Sequence, residues 1–420
     1  MPTTYPSDTV LHVPPFQHRL EGDTVTIGDT NRHAFISVPQ PALAILEDLA
    51  AGHSVGDAGR RYEERTGREV DMEGFVAALE AEGFVGHSAA TAEPEAKKEG
   101  RFLGHLNWIS PRVAQLVFGR TAVGFMLLLI AGMVALVASD PGVLPSFQSL
   151  IYPPHLAILT WITFGIGFTT TMIHEFAHVI AARAAGIPSR IRLSNRMFIP
   201  VIETDMTGIW LAPKRARYLA FLAGVLVDSA SLSIFIAVLW AQRHGMIGIP
   251  AIPLMVLKGV AVTYVGRIYW QSFLFVRTDF YYSLATALDC KSLMTDTQNF
   301  IENTMLRLTG RRPSTDQSGL PRKERRAVRV FSVLWLIGRA FALLLLFSVT
   351  LPVLFHYFGR IYDFLTNPAT IWSSFDFVTS VLLSATFTLI GLVLWGTKLA
   401  RGIGRRLEAR RVRRAEAVLV

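Results

Sequence analysis

The sequence predicts an α-helical polytopic membrane protein of about six transmembrane helices, preceded by a small α+β winged-helix domain. First, the chain of 420 residues is 51% hydrophobic and has a mean hydropathy of +0.37, which is too apolar for one soluble domain. Second, apolar runs long enough to cross a bilayer recur after residue 120. Third, the first 90 residues hold no such run and alternate short β-rich and helical patterns.

The six predicted spans are residues 121–139, 156–182, 219–241, 252–276, 330–354 and 375–399. Lys and Arg are dense after the second, fourth and sixth spans and sparse after the other three. Because cytoplasmic loops carry an excess of Lys and Arg, we expect an inner (plasma) membrane protein with both termini in the cytoplasm. The net charge of +9 is then a topology signal, and the basic stretches show no nucleic-acid-binding signature.

Composition divides the chain into five parts. We expect a small soluble domain at residues 1–90, a linker and interfacial segment at 91–120, and a transmembrane core at 121–300. A basic loop with two further spans follows at 301–400, and a basic cytoplasmic tail at 401–420. Arg267 is a charge within the fourth span that faces a water-filled cavity or snorkels, and we assign it no role.

Two short strands and three helices are predicted within residues 1–90. Residues 23–28 and 33–38 are β-rich, and Gly28-Asp29-Thr30-Asn31 between them is a hairpin signal. Apolar residues at helical spacing predict helices at residues 42–51, 57–66 and from 71 to about 82. Gly52 and Gly67 end the first two helices. This order of elements has the size of a winged-helix unit.

The second predicted span contains an H-E-x-x-H motif, His174-Glu-Phe-Ala-His178. On a helix the two histidines lie on one face, where their imidazoles can hold one zinc ion. Glu175 can then act as general base toward a water that the metal activates. Ionisable side chains are costly in lipid, which favours a functional site over chance histidines or a structural metal. Cys290 is the only cysteine, so a cysteine-based metal cluster is excluded.

A catalytic zinc needs a third protein ligand and one open position. Histidine is scarce in the other spans, so a carboxylate is the natural candidate. Asp279 follows the fourth span, on the same side of the membrane as His174 and His178. Asp228 in the third span and Asp205 in the loop after the second are alternatives, and Asp228 is the better placed of these two.

Four runs in the N-terminal domain carry a family resemblance. They are Phe35-Ile-Ser-Val-Pro39, Leu46-Glu-Asp-Leu49, Gly52-His-Ser-Val55 and Leu79-Glu-Ala-Glu-Gly-Phe-Val85. This pattern resembles the PqqD-like recognition domain of peptide-modifying pathways. The resemblance implies binding of the leader of a ribosomally made precursor peptide, as an added strand on the hairpin edge beside the third helix. The alternative is a generic winged-helix interaction or DNA-binding domain, although the helices present no basic face.

Motifs across residues 101–297 carry a second resemblance. They are His174-Glu-Phe-Ala-His178, Phe198-Ile-Pro200, Thr204-Asp-Met-Thr-Gly-Ile-Trp210, Lys214-Arg-Ala-Arg-Tyr-Leu-Ala-Phe-Leu-Ala-Gly224 and Thr278-Asp-Phe-Tyr-Tyr-Ser-Leu284. This region looks like the site-2 protease class of intramembrane zinc metallopeptidases, and most like the bacterial peptide zinc metalloprotease subgroup. The resemblance implies that Asp279 is the third zinc ligand. Where that family has Gly after the Asp, this chain has Phe280, which lacks the backbone freedom of Gly.

These observations predict a membrane-embedded zinc endopeptidase that cleaves a ribosomally made precursor peptide near the cytoplasmic membrane face. His174, His178 and Asp279 would bind Zn²⁺, and Glu175 would be the catalytic residue. Residues 186–213 could form a hairpin near the site, which in related proteases presents the substrate as an extended strand. Two alternatives stay open. One is regulated cleavage of a membrane-bound regulator, and the other is a non-catalytic peptide-binding membrane scaffold for export or immunity.

Overall fold

A three-stranded antiparallel sheet and three helices form the N-terminal region of the protein. The structure, a computed structural model, describes residues 5–21, 24–29, 34–81, 83–86, 101–105, 109–146, 156–315, 317, 320–366 and 381–418. The strands are β1 (Gln17–Glu21), β2 (Thr24–Asp29) and β3 (Ala34–Pro39), in that spatial order. The helices are α1 (Gln40–Ala50), α2 (Val55–Thr66) and α3 (Met72–Ala81).

The two strands and three helices predicted for this region are confirmed, and β1 is added to them. Val25 and Ile27 of β2 point to the same face and meet Ile45, Leu46 and Leu79 in one hydrophobic core. The sequence does not predict β1, because Gln-His-Arg-Leu-Glu lacks apolar alternation and becomes a strand by pairing with β2. The hairpin residues 30–33 lie outside the described residues, as do residues 91–100 and 106–108 of the predicted linker and interfacial segment.

A second antiparallel sheet follows, with strands β4 (Arg101–His105), β5 (Arg190–Arg196) and β6 (Ile199–Asp205) and with β5 in the middle. The β5–β6 hairpin confirms the strand pairing predicted within residues 186–213. β4 was not predicted, since its five residues lie in the segment that we interpreted as interfacial. Its partner β5 is distant in sequence, so no local pattern predicts the pairing.

Helices make up most of the remaining structure. In chain order they are α4 (Pro111–Val117), α5 (Arg120–Ser139), α6 (Leu156–Ala184), α7 (Lys214–Arg243), α8 (Ala251–Trp270), α9 (Asp279–Leu288), α10 (Leu293–Leu308), α11 (Arg322–Leu345), α12 (Leu351–Thr366) and α13 (Leu383–Val418). Short 3-10 helices occur at Thr207–Leu211 and Leu274–Val276.

Four helical segments of the described chain are long and apolar enough to cross a membrane. They are Pro111–Ser139, Lys214–Arg243, Ala251–Trp270 and Arg322–Asp363. They correspond to the first, third, fourth and fifth predicted spans. α6 and α13, where the other two spans were predicted, are helical but are not among these four, and residues 375–380 lie outside the described residues. The total of six spans therefore stays a prediction.

α7 is the central helix of this region, in contact with α5, α6, α8 and α9. Small side chains let it approach α6 closely, because Ala177 and Ala181 of α6 share one buried cluster with Ala220 and Ala223 of α7. This packing places the face of α6 that carries the two predicted ligand histidines against α7.

The outer face of the N-terminal sheet contacts the 3-10 helix Thr207–Leu211. Arg19 of β1 lies opposite Thr26 of β2, and its Nη1 donates a hydrogen bond to the carbonyl oxygen of Leu211 at 3.3 Å. Lys291 Nζ donates to Thr26 Oγ1 on the same sheet. Because the 3-10 helix begins two residues after β6, these contacts hold the N-terminal sheet beside the end of β6.

Candidate metal centre

Three side chains from two helices converge on one point. His174 and His178 lie one turn apart on α6, and Asp279 is the first residue of α9. His174 Nε2 lies 3.1 Å from Asp279 Oδ2 and 3.2 Å from His178 Nε2, and His178 Nε2 lies 3.3 Å from Asp279 Oδ2. The three atoms form a nearly equilateral triangle, and both imidazoles are buried.

The triangle has the size of one face of a tetrahedral zinc site. Zinc bonds of about 2.0–2.1 Å to nitrogen and oxygen separate neighbouring ligand atoms of a tetrahedron by about 3.3–3.4 Å. The observed edges of 3.1, 3.2 and 3.3 Å are slightly shorter, so a small outward movement of the side chains would accommodate the ion. Three protein ligands leave the fourth vertex open, as a catalytic zinc requires.

The hydrogen bonds behind the two imidazoles leave acceptor atoms facing one another. His174 Nδ1 lies 2.7 Å from Asp228 Oδ2, and His178 Nδ1 lies 2.8 Å from the carbonyl oxygen of Ala220. These oxygens only accept, so each Nδ1 carries the hydrogen and donates it. A neutral imidazole in this tautomer has an Nε2 lone pair that faces Asp279. Two ring nitrogens and a carboxylate oxygen this close need either protons or one metal cation between them, and the second case is the arrangement of a metal ligand set.

Gly224 of α7 lies directly against this triangle. A β-carbon at that position would lie 2.5 Å from His174 Nε2 and 2.6 Å from His178 Nε2. Both distances are far inside van der Waals contact, so a side chain would push the imidazoles apart and enter the space of the ion. Only glycine leaves the three ligand atoms free to converge.

We expect Gly224→Ala to weaken zinc binding at least tenfold although it removes no ligand. Disturbing the surroundings of a metal ligand typically costs about 10- to 100-fold in affinity. A competition titration of the purified protein against a chromophoric zinc chelator measures this affinity. Gly266→Ala on α8 is the matched control, because a β-carbon there would meet no atom within 4 Å. Wild-type zinc affinity in Gly224→Ala would contradict the geometry described above.

Glu175 stands beside the triangle and is held there by β6. Its carboxylate lies within 4.8 Å of the nearest imidazole nitrogens of His174 and His178, and the three residues form a buried group that could bind a metal ion. Thr204 Oγ1 lies 2.7 Å from Glu175 Oε2 and 3.0 Å from the Glu175 carbonyl oxygen, so the hydroxyl can donate to the carboxylate. The strand thereby fixes the carboxylate close to the ligand atoms without making it part of the triangle.

Asp279 is positioned by an unusual backbone turn at Arg277. Arg277 has a φ of 58°, in the left-handed region that non-glycine residues seldom adopt. Phe280, by contrast, lies in the first turn of α9, a conformation open to any residue. The Asp279 N–H donates to Gln271 Oε1 at 3.0 Å, which anchors the start of the helix. The left-handed backbone of this turn is therefore at Arg277, and position 280 does not require the conformational freedom of glycine.

Burial and neighbouring charge shift the pKa of the Asp279 carboxyl in opposite directions. Burial raises its pKa, but the positive charge that His178 and His174 carry when no metal ion is bound outweighs burial and holds the pKa well below its ordinary value. The group is therefore ionised at neutral pH, and the ionised carboxylate is the form that binds a metal.

The two alternative carboxylates occupy other positions. Asp228 bonds to the far nitrogen of His174 and so orients the ring from behind. Asp205 pairs with Arg190 at 2.9 Å. Arg267, which had no role assigned, lies behind Asp228 with its Nε 3.6 Å from Asp228 Oδ2. Asp228 Oδ1 and Arg267 Nη1 are both buried without a hydrogen-bond partner among the described residues, so this pair is held mainly by charge.

Removing the Asp228 carboxylate is expected to lower both the free energy of unfolding and the zinc affinity of the protein. Asp228→Ala would leave the guanidinium of Arg267, which is 12% exposed, without its carboxylate partner, at a cost of up to about 3–5 kcal/mol. It would also release the His174 ring and lower zinc affinity about 10- to 100-fold. Thermal unfolding in detergent and the chelator titration measure the two effects. Asp228→Asn, which keeps an acceptor for His174, should lose less affinity, and an Asp228→Ala protein equal to wild type in both assays would refute this role.

A cavity of about 870 Å³ opens onto the centre. The triangle and Glu175 line it on one side, and residues Pro200 to Thr204 of β6 line another. Aromatic side chains complete much of the remaining wall, among them Phe164, Phe168, Trp210, Trp270 and Phe387. A volume of this size matches sites that enclose organic ligands, and it exceeds what a structural ion needs.

The fold and the centre define the class of the protein. Its described residues are mostly helical, include four helices of membrane-spanning length, and contain a buried His-Glu-His group that could bind a metal ion. Comparison with protein-family models, curated proteins and solved structures finds no match. The chemistry of this chain is therefore argued from its own geometry.

Several groups at the centre were not identified as functional from the sequence. Thr204 and the turn at Arg277 have no local pattern that marks them. Ala220 and Gly224 are different, because they are spaced at intervals of four residues with Asp228, which the sequence indicated only as an alternative ligand, and all three lie on one face of α7. That spacing is the signal that could have grouped them against the two histidines.

Proposed function

We propose that this protein is a membrane-embedded zinc endopeptidase that cleaves a ribosomally made precursor peptide near the cytoplasmic membrane face. The observation that supports this most is the convergence of three acceptor atoms, from His174, His178 and Asp279, at 3.1–3.3 Å beside a buried glutamate. Zinc suits this donor set of two imidazoles and one carboxylate. The glutamate that follows the first histidine is then in the position of a general base.

The residues around the centre suit peptide hydrolysis. A bound zinc would polarise the scissile carbonyl and lower the pKa of water. The Glu175 carboxylate accepts the proton of the attacking water and later donates a proton to the leaving amine. Thr204 holds that carboxylate in place, and Asp228 holds His174 in the tautomer that leaves Nε2 free. Burial of these groups strengthens each electrostatic interaction.

Strand β6 supports a peptide as the substrate. It is the end strand of its sheet in the described structure, and it runs along the cavity from Pro200 to Thr204. An end strand has unpaired backbone donors and acceptors on one side, to which an extended peptide can add. Extension matters because a helical substrate hides its scissile carbonyls in its own hydrogen bonds.

The N-terminal sheet supports the delivery of a precursor peptide. Its outer face contacts the rest of the protein through the hydrogen bonds of Arg19 and Thr26. Strand β3 is at the end of the described sheet, where a leader peptide can add as a further strand. Because the docking site directly follows β6, a leader bound at the sheet raises the concentration of the attached peptide at the cavity. The scaffold alternative drew on Phe280, which lies in the first turn of α9, where the helical backbone does not require glycine.

Metal removal is expected to abolish peptide cleavage, and zinc is expected to restore it. The full-length protein in nanodiscs is incubated with synthetic peptides of varied sequence, and new termini are read by mass spectrometry. Chelation should stop the appearance of termini, and zinc should restore it where magnesium does not, since magnesium prefers an all-oxygen octahedral shell. Cleavage that survives chelation, or zinc-loaded protein that cleaves nothing, would overturn the proposal. Preference for a substrate with its own transmembrane helix would favour the regulator-cleaving alternative.

A further inference from the structure

An aromatic pocket lies along α6 on the N-terminal side of the metal centre. We propose that this pocket, formed by Phe164, Gly167, Phe168 and Phe387, receives a large apolar side chain of the substrate located three residues from the scissile bond. The proposal rests on the proposed function and adds a substrate class to it. The substrate would be an extended peptide with one bulky aliphatic or aromatic residue at a fixed distance from the cut.

The pocket is open at its centre and aromatic at its sides. A β-carbon on Gly167 would meet no atom within 4 Å, so there is free space at this point of the cavity wall. The rings of Phe164 and Phe168 lie 6.4 Å apart between centroids, and Phe387 of α13 lies 5.3 Å from Phe164. Aromatic walls around an open space favour a large apolar side chain, whose burial removes about 150–250 Å² from water when it is itself aromatic.

The helix sets the distance between this pocket and the metal centre. Gly167 and His174 are seven residues apart, which is two turns, so they lie on the same face of α6. At about 1.5 Å of rise per residue, the separation along the helix is about 10 Å. An extended peptide covers this distance in about three residues, at about 3.3 Å each.

The strand on the opposite wall gives the same distance. Thr204 of β6 is bonded to Glu175 at the centre, and Val201, three residues earlier, also lines the cavity. The turn between β5 and β6 lies further from the centre than Val201 and packs closely against α13. A β-carbon on Gly391 of α13 would lie only 1.9 Å from the carbonyl oxygen of Phe198 in this turn. Phe387 is one turn from Gly391 on α13. Both walls therefore run from the centre toward α13, and a peptide added to β6 would bring its third residue to the pocket.

Charged side chains gather at the other side of the centre. Tyr282, one turn after Asp279 on α9, lines the cavity and interacts electrostatically with the surrounding charges. These charges come from Arg192, Arg196, Glu203 and Arg277. The charged side chains of the cavity therefore gather mainly near α9, where Trp210, Phe221 and Tyr282 add aromatic rings.

Peptide hydroxamates test the spacing directly. The hydroxamate group binds zinc, and a single Phe is moved from the first to the fifth residue of an otherwise alanine peptide. One series carries the hydroxamate at the C-terminus and a second carries it at the N-terminus through a succinyl unit, so both peptide directions are covered. Calorimetry on the zinc-loaded full-length protein in detergent measures binding. In one of the two series, we expect the peptide with Phe at the third residue to bind about 10- to 100-fold tighter than the all-alanine peptide. Peptides with Phe at any other position should differ from the all-alanine peptide by less than about threefold.

Two glycine variants locate the pocket. Gly167→Leu should fill it and remove the preference for Phe at the third residue. Gly165→Leu is the matched control, because Gly165 lies on the same helix with open space around it but does not line the cavity, so the preference should persist. A preference at another position, no preference, or a preference unchanged in Gly167→Leu would overturn the proposal.

Two further outcomes distinguish a failure of the metal centre from a failure of the pocket. Acetohydroxamate carries no side chain and reports the metal centre alone. If it fails to bind the zinc-loaded wild type, the proposed function is wrong and the pocket assignment falls with it. If it binds but excess oleate abolishes the Phe preference, the pocket holds a lipid chain instead of a substrate side chain, and the proposal is wrong on its own.

Discussion

Asp279→Ala is expected to lower the zinc affinity of the purified protein at least 100-fold. Asp279 Oδ2 is one of the three converging atoms, so its removal would leave two imidazoles for the ion. Four-ligand zinc sites bind with about 10–16 kcal/mol, so one ligand contributes about 2.5–4 kcal/mol on average, which corresponds to about a 10²- to 10³-fold change. Zinc content after dialysis, followed by chelator competition, measures the loss.

Asp205→Ala is the matched control for this prediction. Asp205 is also a buried carboxylate on the cavity wall, but it pairs with Arg190 and lies outside the triangle. We expect its zinc affinity to stay within about threefold of wild type, since no ligand atom is lost. Zinc binding that survives Asp279→Ala and fails in Asp205→Ala would reverse the assignment of the third ligand.

Glu175→Gln is expected to lower the rate of peptide cleavage about 10²- to 10⁴-fold while zinc content stays at the wild-type level. The amide is nearly isosteric with the carboxylate and keeps an oxygen for the hydroxyl of Thr204, so the local structure should persist. It cannot accept a proton from water, and a positioned general base contributes about 10²- to 10⁴-fold. Initial rates on the best peptide found with the wild type measure the effect.

Glu203→Gln controls for the loss of a negative charge in the cavity. Glu203 lines the cavity and pairs with Arg192 at 2.8 Å and with Arg196, away from the triangle. Its substitution should change the rate by less than about tenfold, through substrate binding. Equal rates in Glu175→Gln and the wild type would mean that the cleavage comes from elsewhere, and would leave a peptide-binding membrane protein.

The sequence by itself predicts the metal-site spacing, four of the strands and the membrane-length helices, which depend on neighbours in the chain. His174 and His178 are four residues apart, so helix geometry alone places them on one face. The β2, β3, β5 and β6 strands follow from local alternation and turn residues, and the membrane-length helices follow from continuous apolar runs. In each case the interaction that forms the element lies within the element or next to it.

Only the tertiary structure decides between Asp279, Asp228 and Asp205. All three carboxylates are chemically able to bind zinc, and their positions relative to His174 depend on how α7 and α9 pack against α6. Packing places Asp279 at the Nε2 side of the ring and Asp228 at the Nδ1 side, which makes one a candidate ligand and the other an orienting group.

The same reason explains the groups that the sequence did not reveal. Gly224 is needed because a neighbouring helix brings two imidazoles against its α-carbon, and Thr204 matters because β6 lies beside Glu175. β4 becomes a strand by pairing with β5, which is far along the chain. These roles arise from contacts between segments distant in sequence, and a local pattern carries no information about such contacts until the chain has folded.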